Sequence, residues 1–217
     1  MSEPVPAADG AGLAAEANSS PDAIARLYDT WASGGGYDRD VQAWGYEAPE
    51  RVAAMVAGLV PDGGRVLDAG CGTGRVGVAL RAAGVVGVTG GDFSLESVAK
   101  AGRLGVYDTV QHLDLNAPVE FADGHFDVTV SVGVFSYLTD TAATLAELLR
   151  VVKPAGAVIF TQRTDLWEER DTQGTIDELV SAGACTAAIS EVSPYLPGHP
   201  DFGDSIGIRY VTLIRAV

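Results

Sequence analysis

Residues 66–77 read VLDAGCGTGRVG. An apolar run ends in an acid, and four glycines then fall between Gly70 and Gly77. The run suits a buried strand over 65–69, and Gly70-Cys71-Gly72-Thr73-Gly74 suits a turn into a helix. Such turns stand at the carboxyl edge of a parallel sheet, where ligands bind. Missing side chains let ligand atoms approach backbone N–H groups, and the helix N-terminus favours an anion. Glycines at alternate positions exceed what a bare turn needs.

The stretch admits two cofactors. Gly72, Gly74 and Gly77 satisfy G-x-G-x-x-G, and Asp92 follows Gly72 by 20 residues, as in a dinucleotide-binding unit. The methionine carboxylate of S-adenosylmethionine can use the same backbone donors. Asp92, at the end of the second strand, can accept the ribose hydroxyls of either cofactor and so does not choose, while Ser94 serves as the following helix cap. Asp68 does choose: an acid there suits an ammonium group and would oppose a pyrophosphate. Asp114, in His112-Leu113-Asp114-Leu115, can accept from an adenine amino group. Tyr137 has no lysine four residues on, so a Tyr-x-x-x-Lys reductase pair is absent, and no later segment is large enough for a substrate domain. Gly77 then reads as an incidental small residue.

Outward from the loop, short apolar runs alternate with helical patterns. Strands are predicted at 65–69, 85–91, 106–113, 127–133, 156–162, 184–192 and 208–216, with helices near 74–83, 95–102, 141–152 and 175–182. Leu145, Leu148, Leu149 and Val152 give the third of these helices its inner face. Thr175 and Glu178 read as a capping box for the fourth, and Gly183 as its stop. The expected fold is α/β: a Rossmann-like, doubly wound, seven-stranded sheet with helices on both faces. The last two strands have no helix between them, so the mostly parallel sheet gains one antiparallel strand near the C-terminus.

Residues 1–19, rich in Ala, Gly, Pro and Ser, read as a disordered lead. A single domain follows over 20–217: an N-terminal helical lid (20–62) and a cofactor-binding core (63–217). In the lid Ile24, Leu27, Tyr28 and Trp31 share one helix face, Gly34–Gly36 breaks it, and a second helix opens at Pro49. The charge is −15, from 14 basic against 29 acidic residues, with Lys100 and Lys153 the only lysines. Without a basic stripe, nucleic acid and anionic membrane are poor partners. Cys71 and Cys185 make no disulfide framework, no signal peptide opens the chain, and no apolar run of about 18 residues could span a membrane. The composition points to a cytoplasmic protein with a small-molecule partner; it leaves the oligomeric state open.

The motifs together resemble the class I S-adenosylmethionine-dependent methyltransferases. The residues that carry the likeness are Val66–Gly74, Gly91-Asp92-Phe93-Ser94, Asp114-Leu115, Phe126–Phe135 and Leu149–Gly156. Tyr28–Ala32, Tyr37–Asp40, Gly45–Pro49 and Ser131–Tyr137 are further similar to the small group named for the Williams–Beuren syndrome methyltransferase-like protein. The resemblance implies S-adenosyl-L-methionine as cofactor and S-adenosyl-L-homocysteine as product. It implies that Gly70, Gly72 and Gly74 make room for the methionine part, near Asp68. Asp92 would bind the ribose diol, Phe93 pack on adenine, Asp114 accept from its amino group, Leu115 border the ring, and Ser131 lie near the sulfonium. Gly90-Gly91 departs from the commoner Gly-Val/Ile at this point.

Tyr28, Trp31, Tyr37, Trp44 and Tyr46 place five of the ten Tyr and Trp residues within 19 positions. Tyr37 follows three glycines, which suits a lid that excludes water. Methyl transfer is an in-line displacement helped mainly by alignment, and a base is needed only when the acceptor must lose a proton. His199, in the loop 193–207, and Tyr137 are the candidate catalytic residues, and Arg163 and Asp165 also follow a strand toward the substrate. His112 with Asp114, or His125 with Asp127, makes no convincing metal set, so none is expected. The expected function is methyl transfer to an O, N or S atom of a small molecule. The alternatives are a non-catalytic S-adenosylmethionine sensor and a nicotinamide-dependent reductase.

Overall fold

The structure, a computed structural model, describes residues 36–200, 203 and 205–217, with side chains from Arg39 onward. The expected lead, the helix carrying Ile24, Leu27, Tyr28 and Trp31, and the side chain of Tyr37 lie outside the described residues. Two helices come first, α1 (Gly36–Ala43) and α2 (Ala48–Ala57). They are followed by β1 (Val66–Ala69), α3 (Arg75–Ala82), β2 (Val88–Asp92), α4 (Leu95–Arg103) and β3 (Thr109–His112). Then come β4 (Phe126–Ser131), a single 3-10 turn (Phe135–Tyr137), α5 (Thr141–Val151), β5 (Val152–Arg163), α6 (Thr164–Glu169) and α7 (Thr172–Ser181). The segment ends with β6 (Cys185–Ile189), β7 (Ser193–Pro194) and β8 (Gly207–Arg215).

The strands form one sheet in the order β3-β2-β1-β4-β5-β8-β6, with β7 paired to β8. The ladders from β3 to β5 are parallel, and β8 runs antiparallel to β5, β6 and β7. Eight strands replace the expected seven. The extra one is the two-residue β7, where a backbone at the sheet margin touches Gly207 and Ile208; so short a pairing has no periodicity to read. Strand β5 also begins four residues before the expected 156, directly after α5.

Period-2 alternation builds two cores, one on each face. Val66, Val128, Val130, Ala157 and Ile159 face α2 and α3, where Val52, Val56, Val76 and Leu80 meet them. Leu67, Phe126, Val158 and Phe160 face α5 and α7, where Leu145, Leu148 and Ile176 meet them. Burial on both faces explains the near-continuous apolar runs. Helix α2, assigned by the sequence to the lid, is thus a core element, and the backbone after the glycines is helical from Gly36.

Helix boundaries follow local chemistry. Ser94 caps α4 by accepting from the Ser97 amide at 3.0 Å. The expected capping box of α7 does not form: Asp171 is the cap, accepting from Gly174 N–H at 3.2 Å, and Thr175 lies one turn inside. Gly183, at φ +71°, ends this helix region as expected.

Candidate active site

The sequence order β1-β2-β3 runs one way across the sheet and β4-β5 the other. The switch between β1 and β4 opens a crevice at their carboxyl ends. The glycine loop leaves β1 on one side of it, and Gly133-Val134 leaves β4 on the other. Gly70, Gly72 and Gly74 hold φ of +84°, +52° and +100°, which only glycine adopts readily. A Cβ at Gly70 would overlap Val134, whereas one at Gly72 would meet nothing within 4 Å. Gly70 therefore seals the two loops together, and Gly72 faces open space.

The loop amides are engaged within the protein. Gly70 and Cys71 N–H both donate to the Gly91 carbonyl, at 2.7 and 2.9 Å, and Gly74 N–H donates to the Cys71 carbonyl at 2.9 Å. Gly72 N–H donates to Asp92 Oδ2 at 2.8 Å. The amides of Gly70, Gly72 and Gly74 are thus bonded within the protein, and Gly72 alone of the three borders open space. Asp92, at the end of β2, also accepts from Ser94 N–H through Oδ1 at 2.9 Å. It thereby ties β2, the glycine loop and α4 together, and a carboxylate has further lone pairs to offer a diol.

Asp68 is fully buried in β1. Its Oδ2 accepts from the Tyr107 hydroxyl at 2.7 Å, and its Oδ1 has no hydrogen-bond partner. Burial raises its pKa to about 7; the Tyr107 hydrogen bond works against that rise, and the charge of Asp92 adds to it. A cation at the glycine loop would supply what Oδ1 lacks, so the residues fit an ammonium-bearing cofactor. Burial also pushes the Cys71 thiol up, with Asp68 and Asp92 adding to it, and keeps it protonated.

Asp114, two residues beyond β3, accepts from Asn116 N–H at 2.8 Å in a local turn. The Leu115 carbonyl accepts from the Thr144 hydroxyl at 2.9 Å, fixing that turn to α5. Phe93 lies against His112 with ring centroids 5.5 Å apart. Ser131 stands at the carboxyl end of β4. It is fully buried and donates its hydroxyl to the Ala69 carbonyl at 2.8 Å, so it clamps β4 to β1.

Beyond β4 the rings gather. A Cβ at Gly133 would stand 3.1 Å from the Tyr46 hydroxyl. Tyr46 meets Tyr195 edge-on at 5.5 Å, and the Arg163 guanidinium lies 5.7 Å from the Tyr195 ring centre. Arg163 is buried and grips Asp165 with two bonds, at 3.1 and 2.6 Å. Arg163 also lies within electrostatic reach of Tyr195 and Tyr137. The turn carrying Tyr137 is held by Arg170, which donates to the carbonyls of Phe135, Ser136 and Leu138 at 2.8–2.9 Å. His199 is buried rather than exposed, with its ring 4.4 Å from that of Trp44. Gly198 N–H donates to the Trp44 carbonyl at 3.0 Å, which binds the 193–207 loop to the α1–α2 connection. Among the described residues, no group of three His, Cys, Asp or Glu is placed to hold a metal ion, and no helix is long and apolar enough to cross a membrane.

Sequence reasoning missed Tyr107 and Arg170. The signal for Tyr107 was Gly77, a helix-disfavouring residue inside α3 that called for a reason.

A family described as a methyltransferase domain matches residues 67–160. Human methyltransferase-like protein 27 is 32% identical over 176 residues, which cover 77% of this chain and 71% of the relative. The 2-methyl-6-phytyl-1,4-hydroquinone methyltransferase of Synechocystis is 32% identical over 180 residues, 73% of this chain and 55% of the relative; the chain thus spans just over half of it. Among solved structures, a methyltransferase from Thermotoga maritima, described as a possible histamine N-methyltransferase, matches with a TM-score of 0.63 at 16% identity, covering 87% of this chain and 98% of that one. Geranyl diphosphate C-methyltransferase from Streptomyces coelicolor, solved with S-adenosyl-L-homocysteine, matches at 0.62 and 14%, covering 78% and 77%. These structural likenesses speak for the fold. The sequence relatives remove the nicotinamide reading, and the chain belongs to the class I S-adenosylmethionine-dependent methyltransferases, with S-adenosylmethionine as its cofactor.

Proposed function

We propose that the protein transfers a methyl group from S-adenosylmethionine to an O, N or S atom of a small-molecule acceptor. One observation carries the layout: the strand order β3-β2-β1-β4-β5 sets Asp114, Asp92, Asp68 and the Gly133–Arg163 cluster in sequence along one sheet edge. The three carboxylates then meet adenine amine, ribose diol and ammonium in turn, with Phe93 and Leu115 beside the adenine and Gly72, in the turn that Gly70 and Gly74 shape, giving room at the methionine end. Bound there, the cofactor supplies an electrophilic methyl group. The residues around Gly133 hold the acceptor in line with it and keep water away.

The acceptor side is ringed by Tyr46, Tyr137, Tyr195 and Arg163, and Tyr37 opens the helix that leads to it. Aromatic faces suit a planar organic acceptor, and the hydroquinone methyltransferase of Synechocystis and the ubiquinone biosynthesis O-methyltransferase of Aromatoleum aromaticum favour a small molecule. His199 and Tyr137 are the groups that would take a proton from a neutral acceptor. The aromatic Gly45–Pro49 and Ser131–Tyr137 signatures favour the Williams–Beuren-like group within the family. A cytoplasmic setting fits an acidic chain without a membrane-spanning helix among its described residues.

Asp92→Ala is expected to weaken S-adenosylmethionine binding about 10- to 100-fold, the loss of charge-assisted hydrogen bonds. Calorimetry on the purified chain measures it, and unchanged affinity refutes the ribose role. Incubating metabolite extracts with methyl-labelled cofactor identifies the acceptor; label found only on protein or nucleic acid would overturn the small-molecule reading.

A further inference from the structure

Tyr107 follows α4 and reaches back under the glycine loop. Its hydroxyl donates to Asp68 Oδ2 at 2.7 Å and accepts from Gly77 N–H at 3.0 Å. Gly77 is the third residue of α3, so its amide has no carbonyl within the helix to bond. One hydroxyl thus satisfies a helix end and a buried carboxylate together. The sequence has cleared space for the ring on two elements. A Cβ at Gly77 would overlap it, and one at Gly90 would lie 3.2 Å from it. Gly77 therefore has a purpose, and Gly90 has the same one.

We propose that Tyr107 is a positioning residue for the cofactor: it fixes Asp68 through Oδ2 so that Oδ1 alone remains to meet the cofactor's ammonium group. The inference rests on the reading of Asp68 as the ammonium partner. Without the hydroxyl, the carboxyl is free to turn and loses a donor that favours its charged form. The ring itself does not touch the cofactor; its effect passes through Asp68. The titratable groups acting on Asp68 are Tyr107, Cys71 and Asp92. Burial holds the first two protonated, and the charge of Asp92 opposes the ionisation of Asp68.

The test is a double-mutant cycle on the full chain, with affinity for S-adenosylmethionine measured by calorimetry from pH 5.5 to 8.5. Tyr107→Phe keeps the ring in its slot, and a thermal melt without ligand checks the fold. In the wild type, affinity should rise with pH and level off above about 7, as Asp68 ionises. Tyr107→Phe should weaken binding about tenfold near neutrality and move the midpoint up by about one pH unit. In an Asp68→Asn background, already weakened and without that pH step, Tyr107→Phe should add no further loss. An equal loss in both backgrounds, or an unmoved midpoint, overturns the role of Tyr107 while leaving Asp68 in place. Should Asp68→Asn itself bind as the wild type does, the ammonium reading falls, and this inference falls with it.

Discussion

Asp68 carries a cost that the free protein bears alone. Its pKa rises from 3.8 to about 7 because burial opposes its charge. A carboxyl raised in the folded state binds more protons than in the unfolded chain, so its contribution is fully present below pH 4 and lost as pH climbs through 7. The ligand-free protein should therefore lose stability between about pH 4 and 7, and Asp68→Asn should flatten that slope in denaturant titrations at several pH values. An unchanged slope would assign the pH dependence elsewhere. The acid itself was legible from VLDAG, since a charge ending a buried strand calls for a ligand. Its tyrosine partner, 39 residues later, was not, because nothing local in Gly-Val-Tyr-Asp announces where the ring points.

Helix α7 shows how a correct element can carry a wrong terminus. Thr175-x-x-Glu178 matches a capping box, but Asp171 at φ +45° holds the N-terminus. A Cβ at Gly174 would overlap the Asp171 carboxylate, so this glycine admits the cap. Two overlapping signals four residues apart compete, and the one with room for its hydrogen bond wins. Asp171→Ala should cost about 1 kcal/mol, and Asp171→Gly less, since glycine tolerates the left-handed backbone. Thr175→Ala should stay within about 0.5 kcal/mol of the wild type. Urea midpoints of the three variants check the ranking; a Thr175→Ala loss above that of Asp171→Ala would restore the capping box.

Across the whole molecule, the sheet and both helical layers were readable because period-2 and period-3.6 patterns are local. The packing of the 193–207 loop on the α1–α2 connection was not. Trp44 meets His199, and Tyr46 meets Tyr195, contacts between distant segments without a shared pattern, and for that reason His199 reads as a loop histidine from sequence alone. The core beneath them is tightly coupled to the site: Phe160 of β5 stacks on Phe135 of the Tyr137 turn at 4.4 Å. Phe160→Ala should cost about 3–5 kcal/mol, measured by chemical denaturation, and a loss below 1 kcal/mol would show that the layer can collapse around the gap. The antiparallel β8 has one more consequence, for synthesis on the ribosome. It lies between β5 and β6 although it follows both in the chain. While β1 to β5 can pair as they emerge, β6 has no neighbour until Gly207–Arg215 have been translated. The nascent chain thus passes through a stage with an unfilled slot at the edge of β5, and the segment most exposed to mispairing or to chaperone capture is Cys185–Ile189.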